Sequence, residues 1–291
     1  MKNKTAMVTG ASSGIGKAYA EHYAKEGYDL IITGRRMDKL VSVAEELEVK
    51  NGISVQIIQA ELSDESDMEH VLEMVRKNPD IHVLVNNAGF GAGVEFGKNN
   101  FEEHMRMLQV HVVTSLKLIY AILPQMITRK AGTIINVSSL AAYMPAPGST
   151  MYSATKLFLK SFTESLYMEV HKYGIKIQCL CPGFTHSDFH ARRSAGHLLN
   201  SHNPMWMDAD KVVEKSMKAL RMNRVICLPG TINKMLVGIS SLVPRKVYYF
   251  LMQSSGNVKI APRLFDGAKQ FIEKAVSFFL PAHTNQVRFL H

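Results

Sequence analysis

Thr5-Ala6-Met7-Val8-Thr9-Gly10-Ala11-Ser12-Ser13-Gly14-Ile15-Gly16-Lys17 lies near the start of the chain, and its reading decides the rest. Thr5–Val8 is a short apolar run with strand character, and from Lys17 to Glu26 the pattern turns helical. Between them lies a turn with glycine at positions 10, 14 and 16. A diphosphate seated at a helix N-terminus needs backbone N–H groups, a favourable dipole and no side chains in the way. Glycine serves that need by turning tightly and by letting a ligand approach the backbone. The spacing is Gly-x-x-x-Gly-x-Gly rather than the better-known Gly-x-Gly-x-x-Gly, and alone it is a weak signal. Its place between a first strand and a first helix strengthens it.

Outward from this turn the chain alternates strand with helix. Tyr28–Thr33, Ile53–Gln59, Ile81–Val85, Gly132–Ser138, Ile175–Cys181 and Val225–Leu228 read as further strands. Met37–Lys50, Glu65–Arg76, Phe101–Ile127, Met151–Tyr173 and Lys211–Met222 read as helices, with Pro124 expected to kink or break the longest near its end. Such alternation predicts an α/β fold, a doubly wound (Rossmann) parallel sheet of about seven strands with helices on both faces. Ligands then bind outside the carboxyl ends of the strands. Residues 1–230 are expected to form one dinucleotide-binding and catalytic domain, and 231–291 an apolar, basic and largely helical extension.

Hydrophobic residues make up 46% of the 291 and charged ones 20%, enough to bury a core and too apolar for a disordered chain. The net charge of +9 favours anionic partners in general. The basic doublets Arg35-Arg36, Arg192-Arg193 and Arg245-Lys246 lie far apart, so no nucleic-acid partner is expected. Three cysteines do not make a secreted disulfide framework. Cys179 and Cys181 would share one face of a strand without bridging. Met1 to Thr9 leads directly into the first strand, and no continuous apolar stretch is expected to span a membrane, so a cytoplasmic location is expected.

The corner after the second strand reads Thr33-Gly34-Arg35-Arg36. A chain selecting NAD usually places an acid about 20 residues after the glycines, to hold the ribose hydroxyls. A carboxylate there would repel a 2′-phosphate, whereas a guanidinium would clamp it. NADP(H) is therefore expected over NAD(H). The bland alternative is two solvated arginines in a loop.

Tyr152-Ser153-Ala154-Thr155-Lys156 opens a long helix, so Tyr152 and Lys156 share one face. A phenol with a pKa of about 10 is a poor acid or base at neutral pH, and a neighbouring ammonium brings it toward working range. Ser139, just past the fifth strand, carries a hydroxyl suited to a substrate oxygen. Each of these features is common by chance. Their occurrence in one order with Asn86-Asn87-Ala88-Gly89 after the fourth strand and Pro182-Gly183 after the sixth is not.

Together the motifs resemble those of the classical short-chain dehydrogenase/reductase family, over roughly residues 3 to 230. The resemblance implies that Tyr152 is the general acid for carbonyl reduction or the base for alcohol oxidation. It implies that Lys156 lowers the phenol pKa and holds the nicotinamide ribose, and that Ser139 orients the substrate oxygen. Gly10, Ser12, Ser13, Gly14, Ile15 and Gly16 would line the diphosphate and adenosine ribose. Arg35 would take the 2′-phosphate with Arg36 as helper. Leu62 would flank the adenine, next to Glu61 where the family more often has aspartate. Asn87, Ala88 and Gly89 would border the cofactor ribose, and Pro182, Gly183 and Thr185 the nicotinamide. A homodimer or homotetramer is implied as well.

One position departs from the family pattern. Its fourth catalytic member is an asparagine that anchors a water in the proton relay, and the matching residue in Leu108-Gln109-Val110-His111-Val112 is His111. Three readings stay open: imidazole holds the water in its place, activity is weakened, or His111 is a core histidine. Phe184–Trp206 would form a substrate lid. Its His186, His190, His197 and His202 are spaced for no known metal cage, while Phe184, Phe189, Leu198, Leu199, Met205 and Trp206 suit an apolar carbonyl and Arg192-Arg193 an anionic one. In the extension, Leu264, Ala268, Phe271, Ala275 and Phe279 recur at helical spacing. That stripe fits packing on the body or a second subunit, or peripheral membrane contact. The expected function is NADP(H)-dependent interconversion of a carbonyl and an alcohol on an apolar small molecule. The alternatives are a dinucleotide-binding regulator without turnover and a membrane-surface reductase of lipid or fatty-acyl substrates.

Overall fold

The Val/Ile/Leu-rich runs inside the sheet fold as strands buried on both faces, as a parallel sheet covered by helices requires, while the edge run Val55–Gln59 is mostly exposed or half-buried. The computed structural model describes residues 4–91, 95–98, 100–186 and 206–254. The first half runs β1 (Thr5–Thr9), α1 (Gly14–Lys25), β2 (Asp29–Gly34), α2 (Met37–Asn51), β3 (Val55–Gln59), α3 (Glu65–Arg76) and β4 (Ile81–Asn86). There follow α4 (Phe101–Leu108), α5 (Thr114–Thr128), β5 (Gly132–Val137), α6 (Thr150–Val170) and β6 (Ile175–Leu180). The described remainder is β7 (Phe184–His186), β8 (Trp206–Asp208), α7 (Ala209–Arg221), β9 (Ile226–Cys227), α8 (Thr231–Leu242) and α9 (Arg245–Ser254).

Seven strands form one parallel sheet in the order β3-β2-β1-β4-β5-β6-β9. The chain winds outward from β1 in one direction through β3, then returns beside β1 with β4 and winds the other way. The β1/β4 boundary is the switch point, where a crevice opens at the carboxyl edge. One face is covered by α1, α2 and α7, whose Tyr19, Leu40, Leu47 and Val213 join the core there. The other is covered by α3, α5 and α6 through Met68, Val71, Leu118, Ile122 and Leu166. Part of the buried polar chemistry is paired across this core. The Asn86 amide donates to Asn136 Oδ1 at 2.9 Å, and Asn136 donates to Thr163 Oγ1 at 2.9 Å, tying β4, β5 and α6 into one unit.

Two expectations for the long helical stretch are corrected. Of the kink or break expected at Pro124, the break does not occur; the proline sits inside α5. The carbonyl it deprives of a donor belongs to Tyr120, an exposed residue, where water can serve instead. The interruption lies earlier, in a π turn at Gln109–Val113 that holds His111. The same stretch, Phe101–Thr128, is long and apolar enough to cross a membrane by length and composition, contrary to the expectation that no stretch would be. Half of its apolar window is buried inside the protein, so its apolar face is that of a core helix. A small parallel pair, β7 with β8, was not foreseen, because three-residue strands show no periodicity. It brackets the expected lid, whose residues 187–205 lie outside the described residues, as does the stripe from Leu264 to Phe279.

Candidate active site

Six of the motifs singled out in the sequence leave the carboxyl ends of strands of the one sheet, while Tyr152 and Lys156 lie in α6 and His111 in the turn before α5. The glycine turn follows β1, Arg35-Arg36 follows β2, Glu61-Leu62 follows β3, Asn87–Gly89 follows β4, Ser139 follows β5 and Pro182-Gly183 follows β6. A parallel sheet thus gathers onto one edge residues that are far apart in the chain.

The glycine turn is built by close packing. Gly10 and Gly14 take left-handed backbone angles, φ +67° and +57°. Thr9 Oγ1 accepts the N–H groups of Asn87 and Ala88, both at 2.9 Å, and Asn87 Nδ2 donates to the Thr9 and Gly10 carbonyls at 2.9 and 3.2 Å. A Cβ on Gly16 would lie 2.3 Å from the Gly10 oxygen and 2.4 Å from Asn87 Nδ2. Gly16→Ala is therefore expected to push α1 off β1, destabilise the fold by about 1–3 kcal/mol and weaken dinucleotide binding more than tenfold or so. Urea unfolding with a nucleotide titration would check both. No side chain caps the N-terminus of α1, and its first turn carries no acid. Bare N–H groups, the positive dipole end and a cradle that any Cβ would fill fit a diphosphate.

At the adenosine end, Arg36 Nη2 donates to Ser12 Oγ at 2.9 Å and Ser13 Oγ at 3.0 Å. Arg35 pairs instead with Glu61 at 3.1 Å, and Arg106 reaches the same carboxylate at 3.4 Å. Burial pushes the Glu61 carboxyl up, but hydrogen bonds from Ser63 and Arg35 outweigh it and hold it below its usual range. Arg106 also pairs with Glu103 at 2.6 Å, so two guanidiniums meet two carboxylates beside Arg36 at this corner. The Leu62 side chain is buried in the core rather than lining the edge, and its carbonyl accepts from Thr114.

At the other end, Lys156 is 4% exposed, one helical turn along α6 from half-buried Tyr152. Its Nζ donates to the Val137 carbonyl at 2.9 Å and lies 5.7 Å from the centre of the Tyr152 ring. Burial pushes the Lys156 ammonium down to about 8, with Cys179 and Cys181 opposing. Those two thiols are free and 3.6 Å apart on one face of the β6 edge. Ser138 Oγ donates to the Lys156 carbonyl at 2.7 Å, fixing α6 against β5, and leaves Ser139 half-exposed with its Oγ accepting from the Ala141 N–H. Gly89 makes room for its neighbours, since a Cβ there would lie 2.9 Å from His111 Nε2 and 3.6 Å from Lys156 Nζ. Beside them the Pro182 carbonyl accepts from Leu140 N–H, and Thr185 Oγ1 donates to the Gly183 carbonyl. A Cβ on Gly183 would strike the Asn233 side chain of α8 at 2.6 Å, so the extension packs against this wall.

His111 is buried. Its Nε2 accepts the Phe90 N–H at 3.0 Å, and its Nδ1 bonds Thr155 Oγ1 at 2.9 Å. Both ring nitrogens are thus engaged with protein groups, which leaves neither for a relay water. Burial and the Lys156 charge hold its pKa well below the usual imidazole value. Near the β7–β8 pair, the Trp206 ring lies 5.2 Å from that of Phe184 and 5.0 Å from that of His186, an aromatic foot to the expected lid. Among the described residues, no group of three or more His, Cys, Asp or Glu could hold a metal ion. Sequence reasoning missed Thr9, Ser138, Thr155 and Asn233; of these, Thr9, adjoining the glycine turn, carried the one readable signal.

Comparison with known proteins agrees with this architecture. The family model for short chain dehydrogenases matches residues 4–197. Mouse 17-beta-hydroxysteroid dehydrogenase type 3 is 31% identical over 249 residues, 84% of this chain and 77% of its own length. Serine 3-dehydrogenase of Agrobacterium fabrum is 33% identical over 201 residues, covering 68% and 79%. A short-chain dehydrogenase from Sphingobium yanoikuyae, solved in complex with NADPH, is 25% identical with a TM-score of 0.73, covering 96% of this chain and 99% of that one. With its glycine turn, its Ser–Tyr–Lys set and a family match over most of its sheet, the chain belongs to the short-chain dehydrogenases, a family of oxidoreductases.

Proposed function

We propose that this chain is an NADP(H)-dependent oxidoreductase interconverting a ketone and a secondary alcohol on a bulky, apolar substrate. The observation that carries the reading is Lys156, a buried cation beside a half-exposed phenol at the carboxyl edge of the sheet. The cofactor supplies the hydride. The protein's own part is to orient the carbonyl and to move one proton. Tyr152 gives its phenolic proton to the substrate oxygen as that oxygen gains charge, and takes it back in oxidation. Lys156 stabilises the resulting phenolate, in a setting where water cannot screen it. Ser139 donates a hydrogen bond to the same oxygen and fixes the face presented.

The glycine turn and the uncapped α1 would hold the diphosphate, Asn87 to Gly89 the ribose, and Arg35 with Arg36 the 2′-phosphate. Arg36, already resting on Ser12 and Ser13, borders the place where the adenosine ribose would lie. Replacing Arg35 and Arg36 together by alanine is expected to weaken NADPH about tenfold to a hundredfold and leave NADH nearly unchanged. Fluorescence titration with each nucleotide reads this, and an equal loss for both would sink the assignment. The apolar substrate is supported by the Phe184–Trp206 contact and by the hydroxysteroid named in the relatives' activity. The test is NADPH consumption across a ketone panel running from acetone-sized molecules to steroid ketones. Turnover rising with apolar bulk supports the reading; none with any ketone or alcohol overturns it.

A further inference from the structure

His111 stands where the family's relay has an asparagine, yet its ring is wired into a one-way hydrogen-bond chain. The Phe90 backbone N–H can only donate, so Nε2, 3.0 Å away, must be an unprotonated acceptor. In a neutral imidazole the hydrogen then sits on Nδ1 and is donated to Thr155 Oγ1 at 2.9 Å. Thr155 passes its own hydrogen to the Tyr152 carbonyl, also at 2.9 Å. An imidazolium would set N–H against N–H at Phe90 and a second charge beside Lys156. The neutral Nδ1–H tautomer is therefore the one this site admits.

The chain joins two walls of the site. Phe90 continues the loop after β4, next to Gly89, and Thr155 lies in the first turns of α6 between Tyr152 and Lys156. The His111 ring stands edge-on to both the Phe90 and Tyr152 rings, with centroids 5.7 and 5.8 Å away. The π turn that holds His111 is the local widening of the helix that accommodates this arrangement.

We infer that His111 is a positioning residue: as the Nδ1–H tautomer it clamps the β4 loop to the start of α6, and so sets Tyr152 relative to the cofactor ribose. The inference rests on the proposed reaction for its kinetic consequence, though not for its geometry. The link that can be cut without changing shape is Thr155→Val, which removes the acceptor and keeps the volume. It is expected to lower kcat about tenfold with KM and NADPH affinity nearly unchanged, because a displaced acid slows the chemical step more than binding. Thr155→Ser should restore kcat. In parallel, imidazole nitrogen NMR of the wild-type protein, assigned with His111→Asn, should show His111 protonated on Nδ1 alone, and Thr155→Val should perturb that signal.

An Nε2–H tautomer, or wild-type kcat in a fully folded Thr155→Val, would overturn the clamp. A wild-type protein inactive on every carbonyl would sink the proposed reaction instead, while the NMR arm still decides the clamp.

Discussion

Tyr152→Phe lowers turnover by about 10²–10⁴-fold and leaves NADPH affinity nearly unchanged: that is the expected result if the phenol is the general acid. The substitution removes one oxygen from a half-buried ring and keeps the ring's contacts with Lys156 and His111, so the packing there is preserved. Loss should fall on kcat and on kcat/KM alike, since the proton is delivered only as the transition state forms. Residual activity in the variant would come from Ser139 and from proximity to the nicotinamide. Steady-state kinetics with one ketone suffices, and unchanged turnover would remove Tyr152 from the mechanism.

Lys156→Met should slow turnover about a hundredfold or more and at the same time make the nucleotide-free protein more stable. Lys156 titrates near 8 in the fold against 10.5 ordinarily, because burial penalises the ammonium. Below pH 8 both folded and unfolded chains carry the proton, and the full penalty, about 3 kcal/mol for a shift of this size, weighs on the fold. Between about pH 8 and 10.5 the unfolded chain binds more protons than the folded one, so stability contributed by this group rises with pH across that window. Methionine removes the charge at every pH and loses the charge-assisted hydrogen bond to the Val137 carbonyl, worth about 1.5–3 kcal/mol, leaving a net gain of about 1 kcal/mol at pH 7. Urea unfolding of both proteins at pH 7 and pH 10 reads the effect. A less stable variant at pH 7, or one with full activity, contradicts it. Charge held in the core against its own solvation cost is what an acid-base site requires.

Most of the sheet was legible because its strands are short apolar runs ended by glycine, asparagine or arginine corners, and in a parallel sheet those corners necessarily meet at one edge. The π turn was not legible. One extra residue shifts the phase of the apolar stripe between Phe101 and Thr128 only slightly, whereas Pro124, the louder signal, deprives a carbonyl on the solvent side and changes little. Arg35 and Glu61 are 26 residues apart, and nothing local foretells that strands β2 and β3 bring them together. Thr155 occupies one of the unspecified places between Tyr152 and Lys156, where a motif looks through it. His111 is visible as a departure, but its meaning lies in the direction of its two hydrogen bonds, which only the folded chain brings about.

The pairing of β1 with β4 also fixes when the cleft comes into being. During synthesis β1, α1, β2, α2 and β3 emerge first, and they contain the whole glycine turn and both arginines. The turn's brace does not, since Thr9 receives the Asn87 N–H from 78 residues away. Closing so long a loop is slow compared with forming helices and neighbouring strands. The first half alone is therefore a phosphate loop with no opposite wall, and the cleft closes only once the central strand pair has zipped. The proposed nucleotide would then bind the completed fold and not its precursor, and would draw newly made chains toward the native state by mass action.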